Sequence, residues 1–116
     1  MIASGGNILA QLPSPGGEEL FYEILRRPGV RIERIVSSGQ VTPEGEWYDQ
    51  DWDEWVLLLA GSARLLLEGE GEARLLGSGD YLFLPAHCRH RVEWTDPQVQ
   101  TVWLAVHLAD LKEVKH

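Results

Sequence analysis

The amino-acid sequence predicts one all-β domain, built as a sandwich or a barrel. Its apolar segments are short, and several alternate charged with apolar side chains, the period of a half-buried strand. Gly and Pro punctuate them at spacings of about 8–12 residues, as in antiparallel sandwiches and barrels. The chain has 116 residues, the length of one domain.

Residues 1–19 are expected to form an irregular arm, because Leu12-Pro13-Ser14-Pro15-Gly16-Gly17 continues neither a helix nor a central strand. The domain proper is expected over residues 20–108. Leu20–Arg26 is a candidate strand closed by Pro28-Gly29, and Val30–Val36 sets Arg31 and Glu33 against Val30 and Ile32. Trp47–Asp53 and Trp55–Ala60 follow, the second closed by Gly61. Ala63–Leu67 and Ala73–Leu76 flank Glu68-Gly69-Glu70-Gly71-Glu72, a hairpin connection. Gly77-Ser78-Gly79-Asp80 turns the chain into Tyr81–Leu84; Arg91–Trp94, the Asp96-Pro97 turn and Val99–Leu108 complete the series. Residues 109–116 form a tail, with a short helix expected over Ala109–Lys115.

Composition narrows the function. Eighteen acidic against ten basic residues give a formal charge of -8. Nucleic-acid and anionic-membrane binding are therefore not expected, since both need clustered Lys and Arg. Cys88 is the sole cysteine, which excludes an internal disulfide and a cysteine-rich zinc cluster and fits a reducing, cytoplasmic setting. The N-terminus lacks the basic and apolar regions of a secretory signal. The longest apolar stretch, Val56–Ala60, is far below the ~20 residues of a membrane helix.

Two segments carry the chemistry. The first runs from Tyr48 through Asp49, Gln50, Asp51, Trp52 and Asp53 to Glu54, then through an apolar run to Gly61. The second is Gly79–His90, with Pro85 and His87 between. Together they resemble the two motifs of the cupin superfamily, small jelly-roll barrels. The first motif places two histidines one residue apart, then three or four residues, a Glu, six residues and a Gly; Glu54 and Gly61 match its end. The second places Gly, five residues, Pro, one residue, usually Gly, two residues, His, three residues and often Asn; Gly79, Pro85 and His90 match it. The resemblance spans residues 45–94 and implies a cupin-type jelly-roll β-barrel (a double-stranded β-helix).

The departures from the family pattern bear on the site. Cupins usually hold a metal with the two first-motif histidines, the Glu and the second-motif His. Here the histidine pair is replaced by Tyr48 and Gln50, or by Trp47 and Asp49 in the longer register. His87 stands where Gly is usual, and Trp94 where Asn is usual. A divalent metal (Zn, Fe, Mn or Ni) would take Glu54, His87, His90 and an oxygen such as that of Gln50, a mixed N/O set. Glu54 and Tyr48 are the candidate proton donors or acceptors, while Trp52, Tyr48, Gln50 and His107 are candidate ligand contacts. Plainer readings stand beside these: His87 as an exposed turn residue, His107 as a satisfied core histidine, Cys88 as a small filler, and Arg89 and Arg91 as partners of surface carboxylates. The five tryptophans divide between barrel filling and contact surfaces.

The resemblance implies a homodimer that binds a small molecule at the barrel mouth. Its function is then either a metal-dependent dioxygenase, isomerase or lyase, or non-catalytic binding of a sensed ligand without a working metal site.

Overall fold

The structure, a computed structural model, describes residues 1–14 and 16–110. Eight strands follow one another: β1 (Leu20–Arg27), β2 (Val30–Ser37), β3 (Asp53–Ala60), β4 (Ala63–Leu67), β5 (Arg74–Leu76), β6 (Tyr81–Leu84), β7 (His90–Thr95) and β8 (Thr101–Leu108). They form two antiparallel sheets, one in the order β1-β2-β8-β3-β6 and the other β5-β4-β7. No helix occurs among the described residues, and none there is long and apolar enough to cross a membrane. The all-β jelly roll is the fold that the strand pattern and the two motifs imply.

Alternation builds the core. On β3, Glu54, Val56 and Leu58 are buried and face inward, while Trp55 and Leu57 are half-buried on the other side. The inward apolar residues meet Ala63, Leu65, Leu76, Leu84 and Trp103 in one cluster, and Cys88 packs against its margin as a filler. The hydrophobic floor thus lies between the sheets and stops beneath Glu54, at the open end.

Gly61 illustrates why the β3–β4 turn demands its residue. Its φ is +88°, and a Cβ there would lie 2.5 Å from Thr101 Oγ1 and 2.8 Å from the Gln100 carbonyl. Only glycine accommodates both the left-handed backbone and that approach.

Two expectations are corrected. Trp47–Asp53 is not a strand. Tyr48 forms an isolated bridge to His90, and the chain then leaves the smaller sheet to enter the larger one at Asp53. The alternation of Tyr48, Gln50 and Trp52 with aspartates mimics a strand pattern, but ladder pairing ceases because the segment crosses from one sheet to the other. The helix expected over Ala109–Lys115 is not present at Ala109 and Asp110; its remainder lies outside the described residues. Other boundaries differ by at most two residues, the largest shifts being β3, which starts at Asp53 rather than Trp55, and β8, which starts at Thr101 rather than Val99.

Candidate functional site

A cavity of about 100 Å³ lies between the sheets, lined by the crossover segment, the arm and strands of both sheets. Its floor is apolar, with Val56, Leu65, Leu84 and Trp103 among its members. Its polar wall is formed by Glu19, Glu33, Tyr48, Gln50, Glu54, His90 and His107.

Glu54 sits at the second residue of β3, opposite His107 on β8 and Leu84 on β6. It is only 7% exposed, lines the cavity, and accepts no hydrogen bond from any described residue. A buried carboxylate forgoes its hydration, so one without a donor is costly unless a ligand or water completes it.

His90 opens β7 and is likewise buried. Its Nδ1 lies 2.9 Å from the Cys88 carbonyl. A carbonyl only accepts, so Nδ1 carries the proton and Nε2 is left for another partner. The Tyr48 ring stacks on the imidazole at 5.4 Å between centroids, placed there by reciprocal backbone bonds from Tyr48 N to His90 O (2.8 Å) and from His90 N to Tyr48 O (3.1 Å). Burial, then the negative charges of Glu19, Glu54 and Glu46, push the Tyr48 phenol above its ordinary value. It remains a protonated donor at the rim.

His107 is held from both sides. Trp52 Nε1–H donates to its Nδ1 at 2.8 Å, and its Nε2 lies 2.8 Å from Glu33 Oε1. An indole N–H can only donate, so Nδ1 must be the acceptor and Nε2–H points at the Glu33 carboxylate. Trp52 fixes the tautomer from behind the cavity wall rather than lining the cavity. Its own outer side lies in a shallow hollow with Arg26, Arg27 and Arg31.

The remaining acids have separate duties. Glu19, from the arm, accepts a short hydrogen bond from the Ser37 hydroxyl, which itself receives Trp103 Nε1–H at 3.2 Å. Burial raises the Glu19 carboxyl above its ordinary range, partly offset by the Ser37 bond. Asp53 Oδ1 accepts the Ala86 N–H at 2.9 Å, anchoring the Pro85–Arg89 turn to the crossover. Asp49 pairs with His87 at 2.9 Å on the surface.

The structure therefore brings Tyr48, Gln50, Glu54, His90 and His107 to one cavity and leaves two expected residues outside it. His87 is exposed, pointing to Asp49, and Trp52 lies behind His107. Glu19 and Glu33 were not anticipated from sequence. Glu33 shares strand parity with Ile35, which packs on the core, so an inward carboxylate was discoverable from the alternation. Glu19 lies in the irregular arm and carries no such signal.

A family-type metal does not fit this donor set. At the four family positions stand Tyr48, Gln50, Glu54 and His90, and among the described residues no three His, Cys, Asp or Glu side chains gather at metal-holding distance. Resident transition-metal sites take three or four strong protein ligands.

Two opposed antiparallel sheets with a polar cavity between them define a jelly-roll barrel with an internal site. The chain matches the model of the cupin domain over residues 35–107 and belongs to the cupin family. It is similar to a solved protein of Ralstonia eutropha JMP134, described as a "putative mannose-6-phosphate isomerase", with 48% identity and a TM-score of 0.90 over 93% of this chain and 100% of that one. A cupin superfamily protein of Desulfitobacterium hafniense DCB-2 shares 19% identity at a TM-score of 0.74, with 95% of each chain covered. An RmlC-like cupin family protein with a double-stranded β-helix fold, from Methanocaldococcus jannaschii, shares 15% identity at 0.73, covering 100% of this chain and 99% of that one. These last two bear on the fold alone. No curated protein matches the chain.

Proposed function

We propose that this cupin is a small-molecule-binding protein that holds its ligand in the Glu54–His90 cavity by direct contacts, without a resident transition metal. The observation that carries this reading is Glu54, a buried carboxylate lining a cavity with no hydrogen-bond donor among the described residues. Tyr48 O–H and the free Nε2 of His90 supply further polar contacts around it, and the apolar floor supplies the desolvated surface that small-molecule sites share. Sensing or storage needs only such a site.

A phosphosugar isomerase, as the description of the Ralstonia protein suggests, is the second reading. The cavity disfavours it in this chain. A phosphate monoester brings nearly two negative charges, and no Lys or Arg is among the residues lining the cavity, whereas three glutamates are. We also propose that the protein is a homodimer, supported by exposed aromatic side chains on the outer face of the larger sheet, Tyr81 and Phe83 among them.

The test joins metal analysis with a thermal-shift metabolite screen. Protein purified without chelator is expected to hold no stoichiometric Zn, Fe, Mn or Ni and to take up none. A bound metabolite at about a hundredfold its Kd is expected to add about 2.7 kcal/mol, a rise in Tm of roughly 10 °C for a domain of this size, unchanged by EDTA. One metal per chain, lost in Glu54→Gln, would overturn the reading.

A further inference from the structure

The cavity holds an unbalanced charge. Glu19, Glu33 and Glu54 reach it from the arm, β2 and β3, and no Lys or Arg lines it. Among the described residues, histidine is the only cationic candidate in its wall. His107 is removed from that role by Trp52, whose N–H occupies the acceptor face of Nδ1 and would confront a second N–H if the ring gained a proton. His90 has a single free nitrogen, and one imidazolium would not balance three carboxylates. Glu33 and Glu19 are at least partly satisfied, by His107 Nε2–H and the Ser37 hydroxyl. Among the described residues Glu54 has neither cation nor donor, and it is more than nine-tenths buried.

The shape of the negative field says which cation it suits. The carboxylates come from three separate segments, and although Glu33 meets His107, no three acidic or histidine side chains among the described residues gather as metal ligands do. Phe21, Tyr48 and Trp103 line the cavity with the carboxylates, beside the aliphatic floor. Aromatic faces attract organic cations, which shed water more readily than a metal ion. The volume of about 100 Å³ equals about three waters of liquid, enough for an ammonium head with a short substituent. Burial raises both Tyr48 and Glu19, and at Tyr48 the negative charges of Glu19, Glu54 and Glu46 add to it, a field that a cation in the cavity would relieve.

We propose that the ligand is a small organic ammonium ion without a carboxylate or phosphate, its charged head set against Glu54 and its substituent on the apolar floor. The assignment rests on the small-molecule-binding reading above and specifies the charge of the ligand. A zwitterion or a phosphorylated sugar would place an anion among three glutamates, with no cation to receive it.

The experiment titrates the full chain with methylammonium, ethylammonium and tetramethylammonium chloride. Their isosteric neutral or anionic counterparts, ethanol, tert-butanol and sodium acetate, and zinc chloride alone, run in parallel. Binding is followed by calorimetry and by two-dimensional NMR of the Trp103 indole, which lies on the cavity wall. At least one ammonium probe is expected to bind saturably and shift the Trp103 signal, with Glu54→Gln weakening it at least tenfold (~1.4 kcal/mol). Because Glu54 has no hydrogen bond to lose among the described residues, Glu54→Gln is expected to fold, and its Tm is measured alongside. Should it unfold, Glu33→Gln serves as the second variant, with weaker ammonium binding expected. Equal binding of a neutral counterpart or of acetate at Trp103 overturns the ammonium assignment while leaving the small-molecule cavity standing. Zinc binding without ammonium binding overturns both, as does the absence of any perturbation.

Discussion

His87 occupies the turn position where the family pattern usually has glycine, and its φ of +64° explains that preference. The turn requires left-handed backbone, which costs a non-glycine residue about 1–2 kcal/mol. In return the imidazole makes one exposed bond to Asp49, and exposed pairs contribute little. His87→Gly is therefore expected to leave stability unchanged or raise it by up to ~1 kcal/mol, whereas His87→Val should lower it, as read by urea denaturation. Glu19 makes a second residue-level case. Its carboxyl, raised above the ordinary 4.5 by burial, keeps its proton in the folded chain over a range where the unfolded chain has lost it. The folded state then binds more protons, so stability falls as pH rises from about 4.5 through the folded value. Glu19→Gln should flatten that part of the Tm–pH curve between pH 4.5 and neutrality; an unchanged slope would contradict the assignment.

At the scale of elements, Arg91 makes the largest set of side-chain bonds to the loop before the crossover, beside the Thr42–Val92 pairing. Arg91, on β7 and largely buried, donates from Nη1 to the carbonyls of Pro43 (3.2 Å) and Glu46 (3.0 Å) and from Nη2 to that of Thr42 (3.0 Å). Its Nε bonds Glu93 at 3.0 Å, and the guanidinium lies 5.9 Å from the Trp47 ring centre. Arg89 pairs with Glu68 at 2.7 Å. Both arginines beside His90 therefore serve the scaffold. Lysine cannot reproduce the planar fork, so Arg91→Lys should cost roughly 2–3 kcal/mol and loosen residues 42–48, measurable as faster amide exchange at Tyr48. Unaltered protection at Tyr48 would show that the clamp does not position the cavity rim.

For the whole molecule, the outer face of the five-stranded sheet raises the question of association. Trp55 on β3 lies 5.6 Å from Tyr81 on β6, and Phe83 beside them is 54% exposed. A contiguous aromatic face of this kind favours a symmetric contact between copies. Sedimentation at micromolar concentration is expected to give about twice the 13.1 kDa chain mass, and Phe83→Lys is expected to return it to the monomer. A monomer for the unsubstituted chain would refute the dimer.

The sequence by itself determined the barrel. Strand alternation, Gly and Pro at the turns, and the spacing of Glu54, Gly61, Gly79, Pro85 and His90 are local properties, and they were legible because backbone sterics and side-chain period act within a few residues. The two cavity anchors, Glu54 and His90, were legible through the resemblance of their spacing to the two cupin motifs. Apart from the inward parity of Glu33, tertiary structure decided which acids share the cavity. The sequence clusters Asp49, Asp51 and Asp53 beside Glu54, yet Asp49 goes to His87 on the surface and Asp53 to the Ala86 amide. Glu19 and Glu33 arrive from the arm and from β2, more than twenty residues upstream of Glu54. It also decided that Trp52 acts through His107 instead of lining the cavity. These outcomes depend on strand register across β2, β8 and β3 and on a segment that passes between sheets, and both are set by long-range pairing that no local pattern encodes.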